Sequence, residues 1–128
     1  MKRLLLLILL STSLDGVAQY RLNITKSELI KEFDNLEVLQ EYSDTLIYTR
    51  NSVLGIIVYY LKDDMTFMTV LIPDNNKMLR KLIGDYDLKY VRASSNTWEQ
   101  YLPEGIVECS LHQTDELKWY FKFKIKSN

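Results

Sequence analysis

Hydrophobic and polar residues alternate along the last two predicted strands of the chain, and a two-residue period is typical of β-strands whose two faces meet different surroundings. The clearest case is the segment 119–126, where aromatic or aliphatic residues occupy every odd position and Tyr or Lys every even position. We expect the odd-numbered side chains of this strand to face a core and the even-numbered ones to face solvent.

Seven runs of strand-forming residues are separated by Gly, Pro, Asn, Asp or Ser, which favour turns. The predicted strands are 45–50, 55–62, 66–72, 88–92, 97–102, 106–113 and 117–125. Tight connections join the first three strands, so we expect them to form an antiparallel meander. In the strand 106–113, alternation predicts Glu108, Ser110 and His112 on the solvent side.

Two helices are predicted from their start signals. Thr25 and Glu28 have the spacing of a capping box, with Ile24 and Leu29 spaced as a hydrophobic staple, so the first helix should begin at Lys26. Asn75 is the expected N-cap of the second helix. The apolar residues of the second helix, through Tyr86, fall on one face, and Gly84 lies near the end of the helix.

The order of predicted elements repeats after 50 residues, with helix aligned on helix and strand on strand. Gly55 and Ile56 then align with Gly105 and Ile106. We therefore expect two helix-plus-meander units, approximately 24–73 and 74–126. Side by side they would form an α+β domain, an antiparallel sheet of six to eight strands with two helices on one face.

The first 18 residues have the pattern of a cleaved secretory signal peptide: Lys2 and Arg3, then an apolar run, then small residues before Gln19. The apolar run is shorter than the ~20 residues that span a bilayer, so no membrane span is expected after cleavage. Residues 19–128 are expected to form one domain, and the protein is expected in the periplasm or outside the cell.

Charge and cysteine content exclude several classes of function. Residues 19–128 contain 14 basic and 16 acidic residues, a formal net charge of −2, so a nucleic-acid partner is not indicated. The lysines of segment 119–126 alternate away from its aromatic residues and cannot form a stacking platform with them. Cys109 is the only cysteine, so no internal disulfide is possible, and we interpret it as a buried core residue.

One set of outward positions in the first unit is apolar where the second unit carries polar residues such as Glu108 and Lys122. The set consists of Ile56, Val58, Tyr60, Met68, Val70 and Ile72. A contiguous apolar face of this kind is typical of an interface, so we predict contact with a protein partner or a homodimer through these six residues. The alternative is that residues 19–23, or the loop around Tyr42, cover them within the chain.

No motif indicates catalysis, a metal site or a cofactor. His112 is the only histidine, and strand rise separates it from Ser110 by roughly 7 Å, which predicts that the two cannot act as a base and nucleophile pair. An alternative function is a small secreted hydrolase or sugar-binding protein that uses tyrosines and acidic residues at one sheet end. Its acidic residues would be Asp63, Asp64, Asp115 and Glu116.

The segment 57–64, the Leu71-Ile72-Pro73 ending, and Tyr90-Val91 followed by Thr97-Trp98 resemble small uncharacterised secreted proteins of Gram-negative bacteria. This resemblance implies export and no particular activity. In architecture, two helix-plus-sheet units are similar to the β-lactamase-inhibitor-like and PepSY-like proteins. That similarity implies protein contact through a sheet face, and it transfers no site residues.

Overall fold

The computed structural model describes residues 21–33, 39–42, 45–51, 55–103 and 105–126. The predicted signal peptide lies outside these ranges. The helices are α1 (Lys26–Phe33) and α2 (Asn76–Lys89). The strands are β1 (Leu39–Tyr42), β2 (Leu46–Asn51), β3 (Gly55–Lys62), β4 (Met65–Ile72), β5 (Val91–Ser94), β6 (Thr97–Leu102), β7 (Gly105–Gln113) and β8 (Trp119–Ile125).

The eight strands form one antiparallel sheet in the order β1-β2-β3-β4-β8-β7-β6-β5. The prediction of an α+β fold with an antiparallel sheet is confirmed, and the strand count is at the top of the expected range. Within the described ranges, each half of the chain supplies one helix followed by four strands. The halves meet where β4 pairs with β8, with Met68 opposite Lys124 and Leu71 opposite Phe121.

Both helices begin where their capping residues predict. The Thr25 hydroxyl accepts a hydrogen bond from the Glu28 N–H at 3.2 Å, and the Asn75 side chain accepts one from the Met78 N–H at 2.9 Å. Each bond satisfies a backbone donor that the first turn of a helix leaves free. The local sequence is therefore sufficient to set the first residue of each helix.

The predicted strand 88–92 is wrong in its first part, because α2 continues through Lys89 and β5 begins only at Val91. Gly84 does not end the helix. Outside its own helix, a Cβ atom at Gly84 would have no neighbour within 4 Å. Leu88 is apolar but 88% exposed, so its apolar character does not mark the start of a buried strand. The short strand β1 was not predicted.

The core lies between the two helices and one face of the sheet, which we call the inner face. Tyr86 of α2 is central to this core, with its ring centroid 5.0 Å from that of Phe121, 5.8 Å from Phe123 and 6.0 Å from Trp98. Leu29 of α1 belongs to the same cluster. Burial of each such side chain stabilises the fold by about 1.5–3 kcal/mol.

Cys109 also lies in this core and is 3% exposed, which confirms its interpretation as a buried residue. Burial is the main cause that raises the pKa of its thiol, and the nearby negative charge of Glu108 raises this pKa further. A thiol that stays protonated is a poor nucleophile and a poor metal ligand. Cys109 therefore contributes packing rather than chemistry.

A cluster of three residues ties α2 to the strands that follow it. The indole N–H of Trp98 donates to the Asp87 carboxylate at 2.8 Å, and Arg92 donates to both oxygens of that carboxylate at 2.9 and 3.0 Å. The Arg92 guanidinium lies 4.6 Å from the centroid of the Trp98 ring. These donors, Trp98 first, lower the pKa of Asp87.

The chain before α1 extends the sheet beside the start of β4. The Asn23 N–H donates to the Thr66 carbonyl, and the Thr66 N–H donates to the Ile24 carbonyl, both at 2.9 Å. The Thr66 hydroxyl accepts from the Ile24 N–H at 3.1 Å and donates to the Arg21 carbonyl. Leu22 packs against the inner core. This segment therefore belongs to the inner layer of the domain.

Candidate functional site

Three pairs of apolar residues lie side by side on β3 and β4. Ile56 is opposite Ile72, Val58 is opposite Val70, and Tyr60 is opposite Met68. The residues that alternate with them, Ile57, Tyr59 and Leu71, belong to the core. The three pairs therefore lie on the other face, which we call the outer face, and successive pairs are about 7 Å apart along the strands.

These six residues differ in exposure. Val58 and Val70, the middle pair, are each only 9% exposed, whereas the pairs at both ends are partly exposed. The middle pair is flanked along the strands by the two end pairs, and Lys122 of the next strand stands opposite Val70. The accessible surface is consequently supplied by the two end pairs.

A β-bulge adds Phe67 to this surface. The pairing register shifts between Tyr60 and Leu61, so that Met68 faces Tyr60 and Thr66 faces Leu61 while Phe67 has no partner in the ladder. Thr66 and Thr69 are buried, and Phe67 between them is 47% exposed. We call Phe67 and the six residues of the three pairs the outer apolar patch. Alternation alone does not find Phe67, because the bulge breaks the two-residue period.

Two lysines of β8 border the outer apolar patch. Lys124 lies between Met68 and Glu108 in the ladder, so a carboxylate stands opposite it in β7. Lys122 lies between Val70 and Ser110 and has no acidic residue at either cross-strand position. The border of the patch next to Val70 is therefore positively charged.

The same face of the sheet carries a hydrogen-bonded pair, Ser110 and His112, whose members strand rise alone predicts to be too far apart. Ser110 Oγ lies 2.7 Å from His112 Nε2, so the prediction that the two are too far apart is wrong. Strand rise fixes the separation of the backbones, but the imidazole lies along the strand and spans it. Ser110 is also only 6% exposed, which contradicts its predicted place on a wetted surface.

The surroundings of His112 favour its neutral form. Burial is the largest cause of its lowered pKa, followed by the positive charges of Lys122 and Lys124. Its ring stacks on Tyr120 with a centroid separation of 5.2 Å. Within the described ranges, no carboxylate is hydrogen-bonded to the imidazole. A Ser–His–acid triad is therefore not assembled there.

Charges at the far edge of the outer face compensate one another. Lys126 Nζ lies 2.7 Å from a Glu99 carboxylate oxygen, and the Tyr101 hydroxyl donates to the same carboxylate at 2.9 Å. These hydrogen bonds, Lys126 first, lower the pKa of Glu99. The Glu99 carboxylate has little exposed surface, but the Lys126 side chain is 48% exposed, so this ion pair remains in contact with water.

A cleft of about 300 Å³ opens at the end of the outer apolar patch, and we call it the end cleft. Ile56 and Ile72 line it, so the cleft and the patch share one cross-strand pair. Its other apolar walls are Leu79, Leu117 and Trp119, and polar residues at the start of α2 and Lys118 complete it. A leucine within the polar turn 114–118 is the one sequence signal that points to this cleft.

The four acidic residues of the alternative hydrolase or sugar site do not come together. Asp63 and Asp64 form the turn before β4, whereas Asp115 and Glu116 lie in the turn before β8. Because β8 runs antiparallel to β4, the second turn lies at the opposite end of the sheet, roughly 20 Å away by strand rise. Grouping them at one sheet end is therefore wrong. No group of three or more possible metal-binding side chains occurs among the described residues.

The alternative prediction is that residues 19–23, or the loop around Tyr42, cover the six predicted contact residues. The described parts of both segments lie elsewhere. In residues 21–23, Leu22 packs against the inner core and Asn23 pairs with Thr66. Tyr42 belongs to β1, opposite Ile47, and is not in a loop. Residues 19 and 20 lie outside the described ranges. The described part of these segments thus belongs to the inner layer or to the sheet itself.

No known protein family, curated protein or solved structure matches this chain. Within the described ranges, neither helix has the length and apolar character needed to cross a membrane. The candidate site is therefore defined by geometry alone: the outer apolar patch, its lysine border and the end cleft.

Proposed function

We propose that this protein is an exported binding module that contacts a protein partner, or a second copy of itself, through the outer apolar patch. The observation that carries the proposal is the row of three apolar cross-strand pairs on the face opposite the core, extended by Phe67 at 47% exposure. Contiguous apolar surface on an exported domain is typical of an interaction site. The signal-peptide pattern of residues 1–18 supports export to the periplasm or beyond.

The proposal includes duplication of one helix-plus-meander unit, 24–73 and 74–126. Gly55 and Gly105 support it, because both have positive φ and each opens the third strand of its half. A shift of 50 residues places Val58 on Glu108, and the cross-strand partners of these two residues are Val70 and Lys124. An apolar pair then occupies the position of two oppositely charged residues, as expected where one unit has specialised for contact.

The test replaces Phe67 with Asp and uses Leu88→Asp as the matched control. Both residues are large, apolar and exposed, but Leu88 lies on α2, away from the patch. We expect the wild type and Leu88→Asp to self-associate in light scattering or to bind an apolar-surface dye. Phe67→Asp should show weaker self-association and weaker dye binding than either of them. A wild type that is monomeric and binds no more dye than Phe67→Asp would contradict the proposal.

A second candidate is a small secreted hydrolase, and the observation that favours it is the 2.7 Å contact between Ser110 and His112. Two features weigh against it: the low exposure of Ser110 and the absence, within the described ranges, of an acidic group on the imidazole. Covalent labelling of Ser110 by a fluorophosphonate would support this candidate. If Ser110 is not labelled, the hydrolase candidate is contradicted.

A further inference from the structure

We propose that the end cleft receives one large apolar side chain from an extended polypeptide segment of the partner. The rest of that segment would lie along the outer apolar patch, with acidic residues beside Lys122. The inference rests on the proposed function, because the cleft and the patch share Ile56 and Ile72.

The end cleft has the size and walls of an anchor pocket. Its volume of about 300 Å³ is at the lower limit of ligand pockets and leaves ample room for one large side chain. The pair Ile56 and Ile72, Leu79 of α2 and Trp119 of β8 form walls that come from four different elements. Pockets of this kind at the edge of an interface hold the aromatic or aliphatic side chains that dominate binding energy.

Leu117 at the mouth of the cleft supports this assignment. Its φ of 63° is left-handed, a conformation that the Cβ atom of leucine disfavours, and its side chain is 73% exposed. Hydrogen bonds from the Leu117 N–H to the Thr114 carbonyl at 2.9 Å, and from the Thr114 N–H to the Lys118 carbonyl at 2.8 Å, hold the turn in this shape. Strained residues cluster at ligand-binding positions, and a bound apolar group would bury this leucine.

Continuity with the patch indicates a polypeptide rather than a small molecule. From the end cleft, apolar pairs follow at intervals of about 7 Å, which is also the spacing of alternate side chains in an extended chain. The middle pair, Val58 and Val70, is 9% exposed, so the two end pairs supply most of the accessible surface along this track. The track ends at Phe67, beside the Tyr60–Met68 pair. A ligand confined to the cleft would leave Tyr60, Met68 and Phe67 uncovered.

Charge along the track indicates acidic residues in the partner segment. The outer positions of β3 and β4 that form the patch carry no charge. The cross-strand neighbours of Lys122 are Val70 and Ser110, so this lysine faces no carboxylate from either strand. The end cleft itself is lined by both Asp74 and Lys118, so it has no net preference for an acid. Complementary charge is therefore expected beside the patch and not in the cleft.

The test measures fluorescence anisotropy with two labelled peptides, Phe-Asp-Val-Asp-Val-Asp and Phe-Lys-Val-Lys-Val-Lys. The wild-type protein should bind the acidic peptide and not the lysine peptide. Leu117→Asp, at an exposed position of the cleft mouth, should weaken binding by about tenfold or more, as loss of a hot-spot contact does. Lys122→Glu should weaken it as well. Leu88→Asp is the matched control and should bind like the wild type.

The outcomes separate this inference from the proposed function. Loss of binding in Phe67→Asp with unchanged binding in Leu117→Asp would overturn the anchor role of the cleft and leave the patch as the contact surface. Equal binding of both peptides would overturn the acidic specificity. No binding of either peptide by the wild type would overturn the whole inference, while light scattering and dye binding still report on the proposed function.

Discussion

Ser110 Oγ lies 2.7 Å from His112 Nε2, although the two residues occupy successive positions on the same face of β7. Their backbones are about 7 Å apart by strand rise, so the imidazole must lie along the strand to reach the hydroxyl. Stacking of the ring on Tyr120, with centroids 5.2 Å apart, fits this orientation. The imidazole thus contacts a hydroxyl and an aromatic ring, and the positive charges of two lysines of β8 lower its pKa.

This arrangement predicts a loss of stability in mild acid. The lowered pKa of His112 means that the unfolded chain binds a proton more readily than the folded protein below the ordinary value of 6.5. The contribution of His112 is complete above about pH 6.5 and is lost as the pH falls from there towards the folded pKa. We expect His112→Gln to show a smaller fall in the urea midpoint between pH 7.5 and pH 5.5.

Ser110→Ala is the control for this experiment, because it keeps the imidazole and removes only the hydroxyl. It should lower the urea midpoint at both pH values and retain most of the wild-type dependence on pH. If His112→Gln loses as much stability in acid as the wild type does, another group is responsible and the assignment to His112 fails.

The close contact between Gly55 and the end of β4 predicts a severe substitution. Gly55 has a φ of 108°, and a Cβ atom there would lie 2.2 Å from the Ile72 carbonyl oxygen. Gly55→Ala should therefore lower the free energy of unfolding by about 2–4 kcal/mol, from backbone strain together with overpacking. Denaturant titration measures the change, and a cost below about 1 kcal/mol would show that the strands separate easily at this point.

Gly84→Ala is the matched control for Gly55→Ala. Gly84 lies inside α2, where an added methyl group meets no atom within 4 Å, so alanine should raise the free energy of unfolding by about 0.5–1 kcal/mol. Opposite signs for the same substitution would show that local backbone geometry, and not glycine content, decides the effect.

Two threonines on β4 predict opposite responses to valine. Thr69 is fully buried, and within the described ranges its hydroxyl has no hydrogen-bond partner, so Thr69→Val should stabilise the protein by about 1 kcal/mol. The Thr66 hydroxyl bonds the backbone at both Arg21 and Ile24. Thr66→Val should therefore destabilise by about 1–3 kcal/mol.

Thermal unfolding of the two valine variants checks this pair of predictions directly. The chemical change is identical and both positions are buried, so any difference reports the hydrogen bonds. Equal shifts in both variants would mean that the Thr66 hydroxyl does not hold residues 21–24 against β4.

Local chemistry predicted more of this fold than of its site. The helix starts follow from Thr25 and Asn75, and the predicted strands 55–62 and 97–102 coincide with β3 and β6, because caps, turns and alternation act over a few neighbouring residues. The strand order could not be derived in the same way. Pairing of β4 with β8 joins residues that are about 50 positions apart, and no short-range pattern encodes it.

The candidate site likewise has parts that local sequence predicts and parts that it does not. Alternation indicated the six paired residues of β3 and β4, and the register does make them cross-strand partners. Phe67 depends on a bulge, and the end cleft depends on Leu117 and Leu79 meeting from different elements. The contact between Ser110 and His112 depends on a side-chain rotamer, which strand rise does not determine.

The junction between β4 and β8 also has a consequence for biosynthesis. Within the sheet, residues 68–71 pair with residues 121–124, so β4 is made long before its neighbour β8 exists. Until then, the free edge of β4 exposes backbone N–H and C=O groups that another nascent chain can pair with. Chains released between Pro73 and Trp119 should therefore aggregate more readily than the full-length protein.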